Sequence, residues 1–230
     1  METLISPSLL AADFTKLGSE LDSIRNADWA HMVVMDGHFV PNLAIGDPAD
    51  AAIVAASPVP VDAHLMIENP ERWAPKYAEM GCASVTFHAE AASEPVRLAR
   101  ELREMGARAG LAVKPGTDIE SYIEIFDEFD MILIMTVEPG FGGQAFMADM
   151  MPKVRRTREA TESAGLDVWV QVDGGVSRST ITLAAEAGAN NSWLARLCSG
   201  PTMPTPRSKP CALSPPPTAT KGVFNVSLVM

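Results

Sequence analysis

Imidazole and carboxylate side chains recur in three apolar, strand-like stretches that lie far apart in the 230-residue chain: His31 in HMVVMDGHF, Asp62 and His64 in VDAHLM, and Asp173 in VQVDGG. An extended strand turns alternate side chains to opposite faces, so His31, Val33 and Met35 share one face of their strand, as do Asp62, His64 and Met66 of theirs. Nitrogen and oxygen donors of this kind suit a borderline divalent cation. A lone buried histidine is more often a hydrogen-bonded core residue than a ligand. Two histidines and an aspartate, each placed near a strand end, strengthen one another and imply a mononuclear metal site. The same reading shows a gap, because Val33 stands where this geometry calls for another carboxylate.

The elements that must position these groups follow from hydrophobic periodicity. Strands are expected at Thr3–Leu9, Ala30–Met35, Val61–Met66, Ser84–His88, Ala109–Val113, Met131–Val137 and Val168–Val172. Helices are expected between them: after Asp13 with a Leu17, Leu21, Ile24 stripe, after Asn69-Pro70, and after Ser93. Thr117 and Glu120 are spaced as a capping box, and Gly188 is expected to close a helix over Ile181–Ala187. Strands alternating with helices require a parallel sheet with helical crossovers. The number of units and the polar groups at strand ends favour a (β/α)8 barrel over a doubly wound sheet.

Two glycine runs follow strands. EPGFGGQ places Gly140, Phe141, Gly142 and Gly143 after MILIMTV, and Gly174-Gly175 follow Asp173. Neither has the spacing of a P-loop or a dinucleotide fold. Each is either a turn that needs positive φ or a cradle of backbone N–H groups for a phosphate, and in barrels phosphates are often held after the seventh and eighth strands. Met35, Met66 and Met135 read equally well as core fillers or as the lining of a pocket.

Composition narrows the classes of partner. With 29 acidic against 18 basic residues and no basic cluster in residues 1–188, a nucleic-acid surface is not expected. No run of 18 apolar residues offers a membrane span, and the N-terminus METLISPSLL lacks the pattern of a signal peptide, so a soluble, cytoplasmic protein is expected. Cys82, Cys198 and Cys211 form neither a disulfide framework nor a zinc knuckle.

The eighth unit breaks the pattern. No acidic residue lies beyond position 188, whereas seven of the 18 prolines do, and PTMPTPRSKP and LSPPPTAT read as extended, disordered chain. The division is therefore residues 1–190, a barrel, and 191–230, a Pro-rich tail. The last nine residues, GVFNVSLVM, are strand-prone; they either fill the vacant place beside the first and seventh strands or form an aggregation-prone free end.

The stretches SPSLLAADFTKLG, VMDGHFVPN, DAHLM, LAVKPGT, MTVEPGFGGQAFM, MMPKV and VDGGV occur in the order and at the spacing found in ribulose-phosphate 3-epimerases, and residues 4 to about 190 resemble that family. The resemblance implies a TIM barrel, here with its eighth β/α unit missing or replaced. It implies a homo-oligomeric enzyme of the pentose phosphate pathway that interconverts D-ribulose 5-phosphate and D-xylulose 5-phosphate through an enediolate. It also implies one divalent metal ion (Zn, Fe, Mn or Co) held by two histidines and two aspartates. His31, His64 and Asp173 match three of these ligands, Asp173 also matching a catalytic acid/base, and Val33 occupies the fourth position. Ser8, His64, Met35, Met66, Met135, Gly140, Phe141, Gly142, Gly143, Gly174 and Gly175 match substrate-contacting positions, while the family's Gly-Ser phosphate grip after strand eight has no counterpart. Inversion at C3 needs proton transfer on both faces of a planar intermediate, so activity is expected to be impaired. The alternative is a non-catalytic sugar-phosphate or metal-binding barrel, or an unstable remnant. Asp36 is one strand position out of phase with the gap and is not expected to fill it.

Overall fold

The structure is a computed structural model that describes residues 4–177, 179–189, 191–192 and 225–226. Its core is a run of parallel strands: β2 (Ala30–Met35), β3 (Val61–Met66), β4 (Ser84–His88), β5 (Arg108–Val113), β6 (Met131–Met135), β7 (Trp169–Asp173) and the two-residue β8 (Asn191–Ser192). They are hydrogen-bonded in chain order. β1 (Leu4–Ile5) pairs in parallel with β9 (Asn225–Val226). The Pro7 carbonyl accepts from the His31 amide at 2.9 Å, which joins the N-terminal segment to β2.

The sheet must curl. Four strand spacings separate β3 from β7, about 19 Å in a flat sheet, yet His64 Nδ1 and Asp173 Oδ2 are 3.4 Å apart. Curling turns one face of every strand inward and leaves the other for the helices: α1 (Leu17–Ser23), α2 (Asp47–Ala56), α3 (Pro70–Glu79), α4 (Pro95–Glu104), α5 (Met151–Ser163) and α6 (Ile181–Glu186). Leu65, Phe87, Leu111, Ile132 and Val170 on the outer face pack into one core with Ile53, Tyr77, Leu98, Leu102 and Val154 from the helices. β2, β3, β4 and β6 are buried along their whole length; β6 (MILIM) is apolar throughout, whereas β3 (VDAHLM) and β4 (SVTFH) turn apolar side chains outward to the helices and polar ones into the interior.

Several expected boundaries shift. The first strand ends at Ile5, and Leu9 starts a 3₁₀ turn, Leu9–Ala11, capped by Ser8. Asp13 does cap, but it caps a 3₁₀ turn over Phe14–Lys16 that leads into α1. Ser93 is not the cap of α4; its N–H and Oγ both donate to Glu71 Oε1, and Glu94 precedes the helix. Thr117 does not cap either. Its hydroxyl donates to Glu90 Oε1, Asp118 takes the capping role, and the crossover Ile119–Glu128 is a 3₁₀ helix rich in Ile, Tyr and Phe, which are weaker α-formers. Gly188 closes α6 at φ 97°. Of the expected disordered tail, only Asn191–Ser192 and Asn225–Val226 are described; residues 193–224 and 227–230 lie outside the described residues.

Among the helices, Asp50 of α2 is fully buried and accepts from the Tyr77 hydroxyl of α3 at 2.8 Å. Burial raises its carboxyl pKa and the Tyr77 hydrogen bond only partly offsets this. A carboxyl raised in the folded state is tolerated while protonated and costs stability once pH rises through its folded pKa. Asp50→Asn is therefore expected to raise the thermal midpoint at pH 8, the gain over the native chain shrinking towards pH 4. Scanning calorimetry across that range checks it, and a gain that grows as pH falls contradicts it.

Candidate metal centre and its surroundings

His31, His64 and Asp173 converge. Each offers a ligand atom, the three atoms lie within 4.8 Å of one another, and all three residues are buried. Only Asp173 ends its strand; His31 is the second residue of β2 and His64 the fourth of β3. Their expected placement near strand ends is thus corrected for the two histidines. Strand tilt in a curled sheet brings different sequence positions to one level.

The register explains which side chains share that level. His31 is paired with Asp62, Val33 with His64, and Met35 with Met66, so both triplets face the interior. Asp62 Oδ2 lies 2.9 Å from His31 Nδ1, which leaves the Nε2 side of His31 for the cluster. His64 Nδ1 is a buried nitrogen with no hydrogen bond, and it faces Asp173 Oδ2. A buried polar atom left in this state is costly unless something fills the space between it and its neighbour. Two imidazole nitrogens and a carboxylate oxygen around such a space fit Zn, Fe, Mn or Co.

The wall beside this cluster is apolar. Val33 sits in one buried group with Met35, Val40, Met66, Leu133 and Met135. Among the described residues no second acidic residue joins Asp173 in the three-residue cluster. Asp36 is committed elsewhere: Oδ1 accepts from the amides of His38 and Phe39 and Oδ2 from the amide of Glu68, tying the loop after β2 to the one after β3. Burial raises its carboxyl pKa, but these three donors outweigh it and the net shift is downward.

Sequence reasoning named Asp62 without a role and missed His88 and Glu90 altogether. His64 Nε2 is 3.0 Å from His88 Nε2, and His88 Nδ1 is 3.2 Å from Glu90 Oε2. Burial lowers the His88 pKa to about 4, so the ring is neutral. Burial raises Glu90, but donors from His88, Thr117 and the Lys114 amide outweigh it and hold the carboxyl at about 2. The available signal was period two, since His88 follows Thr86 on the face that Thr86 shares with His64.

Gly174 and Gly175, after β7, pack against the chain that follows β6, Gly174 against Val137 and Gly175 against Ala145 and Phe146. Gly174 and Gly175 have φ of 110° and 65°, and a Cβ on Gly175 would lie 2.5 Å from the Phe146 amide nitrogen, directly after the EPGFGGQ loop. In that loop Gly140 and Gly143 have positive φ, Gly142 does not, and Phe141 is exposed. Gln144 and Asn42 pin the loop through the carbonyls of Glu138, Phe141 and Gly140. Ser8 Oγ accepts from the Leu10 amide, and Ser8 bridges to His31 at the edge of the cluster.

This arrangement has known counterparts. The profile of the Ribulose-phosphate 3 epimerase family matches residues 4–196. The chain belongs to that family. It is 53% identical over 190 residues to the ribulose-phosphate 3-epimerase of Mycobacterium leprae (strain TN), spanning 83% of this chain and 85% of that one. Against the ribulose-phosphate 3-epimerase of Bacillus subtilis (strain 168) the identity is 42% over 189 residues, spanning 81% and 87%. Among solved structures, 3-keto-L-gulonate-6-phosphate decarboxylase from Vibrio cholerae superimposes with a TM-score of 0.65 at 12% identity, over 87% of this chain and 91% of that one. At such identity only the fold is shared, and it is the TIM barrel, of whose eighth strand only Asn191–Ser192 falls among the described residues. Among the described residues no helix is long and apolar enough to cross a membrane.

Proposed function

We propose that the chain binds one divalent metal ion through His31, His64 and Asp173, takes D-ribulose 5-phosphate as substrate, and has lost most of the family's ability to invert C3. The observation that carries this reading is the three-residue cluster set beside an apolar wall that includes Val33. A divalent ion bound there supplies Lewis-acid stabilisation of charge developing on the substrate's oxygens.

The chain's own residues do the rest. Asp173 takes the C3 proton on its side of the substrate and returns it to the same face. Val33 has no proton to give, so delivery to the opposite face depends on whatever water reaches it. Met35, Met66 and Met135, at 4%, 3% and 1% exposure, line the wall and exclude solvent. Backbone N–H groups of Gly140–Gly143 and Gly174-Gly175 serve the phosphate, a role supported by the positive φ of Gly140, Gly143, Gly174 and Gly175 and by the packing of Gly175 against Phe146, shortly after the first run. Ser8 contacts the substrate beside His31.

One-sided proton transfer has a distinct signature. In D2O with Zn2+, C3 of ribulose 5-phosphate is expected to acquire deuterium at least ~10-fold faster than xylulose 5-phosphate forms, because loss of one acid/base group costs roughly 10²- to 10⁴-fold. Proton NMR of the mixture reads both rates. Inversion that keeps pace with exchange contradicts the reading. The second reading, a binding barrel without chemistry, is favoured by the absence from the sequence after β7 of the family's Gly-Ser phosphate grip; it is identified by a raised melting temperature with the sugar phosphate and no exchange.

A further inference from the structure

His88 and Glu90 lie outside the cluster, yet they contact its back. The contact runs from Glu90 Oε2 to His88 Nδ1 at 3.2 Å and from His88 Nε2 to His64 Nε2 at 3.0 Å. Two N–H groups cannot face each other over that distance, so one Nε2 carries a proton and the other accepts it. Which one does so decides the state of His64, because a neutral imidazole with its proton on Nε2 has its lone pair on Nδ1, the atom that faces Asp173.

We propose that Glu90 and His88 are positioning residues that hold His64 in the Nε2–H tautomer, so that its Nδ1 lone pair is presented to the cluster. The inference rests on the reading of His64 as a metal ligand and adds what prepares it for that role. Glu90 is a suitable start for the chain because a carboxylate only accepts. Its Oε1 accepts from the Lys114 amide, at 2.6 Å, and from the Thr117 hydroxyl, which fixes Oε2 towards His88. Those donors are themselves held. Lys153 of α5 donates from Nζ to the carbonyls of Lys114, Pro115 and Thr117 at 3.1, 2.7 and 2.6 Å. The stretches LAVKPGT and MMPKV thereby acquire a physical purpose: they orient the carboxylate that sets the tautomer. With the Nδ1–H of His88 donating to Glu90 Oε2, the neutral ring that burial favours offers its Nε2 lone pair. His64 then donates from Nε2. Groups behind a histidine ligand commonly act in this way, and their loss typically costs 10- to 100-fold in metal affinity.

Glu90→Gln tests the direction of the chain with an isosteric side chain. The Lys114 amide and the Thr117 hydroxyl still demand an oxygen, so the new amide turns its NH2 to His88 and reverses every bond behind His64. In the metal-free native chain, 15N-resolved NMR of the imidazoles is expected to show His64 protonated on Nε2. In the variant His64 is expected to shift to Nδ1–H, and Zn2+ affinity measured by chelator competition is expected to fall roughly 10- to 100-fold. His64 protonated on Nδ1 in the native chain overturns the proposal, as does a Glu90→Gln variant that binds Zn2+ as tightly as the native chain. A native chain that binds no Zn2+ sinks the metal reading, and the tautomer measurement on that same chain still decides the relay.

Discussion

Val33→Asp is expected to raise turnover of ribulose 5-phosphate by roughly 10²- to 10⁴-fold, the usual weight of a single general acid/base. Position 33 is directly paired with His64 in the sheet, and its side chain lies on the inner face. A carboxylate there stands beside the cluster formed by His64 and Asp173 and supplies the missing proton carrier. The opposing effect is desolvation, because position 33 is buried among methionines and Leu133, where an unpaired charge is costly. The metal-free variant is therefore expected to melt below the native chain and to recover on addition of Zn2+, which binds the folded form. A coupled assay for xylulose 5-phosphate gives the rate. Val33→Asn is the control, since it has similar size and polarity but no titrating proton, and it is expected to leave turnover unchanged. Equal turnover in Val33→Asp and Val33→Asn would sink the two-base account.

Gly175→Ala is expected to destabilise the chain by about 2–4 kcal/mol, the sum of a left-handed alanine and an overpacked contact. Gly165 provides a matched comparison. Its φ is +66° against +65° for Gly175, but a Cβ there meets nothing within 4 Å, whereas at Gly175 it would sit 2.5 Å from the Phe146 nitrogen and 2.6 Å from the Phe146 Cα. Gly165→Ala is thus expected to lose only about 1 kcal/mol, the conformational part. Urea unfolding of the two variants separates the terms. Equal losses would mean that the backbone after the EPGFGGQ loop yields easily, and the glycine pair would then be no evidence for a tightly built phosphate cradle. The neighbouring Thr136 argues for rigidity, since its one hydroxyl proton is shared between the carbonyls of Gly174 and Asp173, at 2.6 and 2.9 Å.

Strand positions were legible because the outward face of each strand must be apolar where the helices cover it, as at Ala63 and Leu65, Val85 and Phe87, and Val170 and Val172, so a period of two persists even where the inward face is polar. Helix starts were less so. Ser93 and Thr117 have capping side chains at plausible spacing, but carboxylates distant in sequence, Glu71 and Glu90, compete for them and take them. A cap is a local preference of about 1 kcal/mol, and a long-range acceptor of opposite demand overrides it. His88 and Glu90 escaped notice for a related reason: their roles exist only through contact with His64, 24 residues from His88 in the chain.

Chain chemistry by itself determined the alternation of strands and helices, the three groups able to hold a metal, and the valine in place of a fourth, because residue type and a period of two are local properties. Only the tertiary structure decided that β3 and β7 approach closely enough for His64 to face Asp173. It also decided that Asp62 backs His31, that Asp36 is consumed by loop amides, and that Glu90 reaches His64 through His88. These outcomes depend on the curl of the sheet and on competition for hydrogen-bond partners across it, and both are settled when distant segments meet.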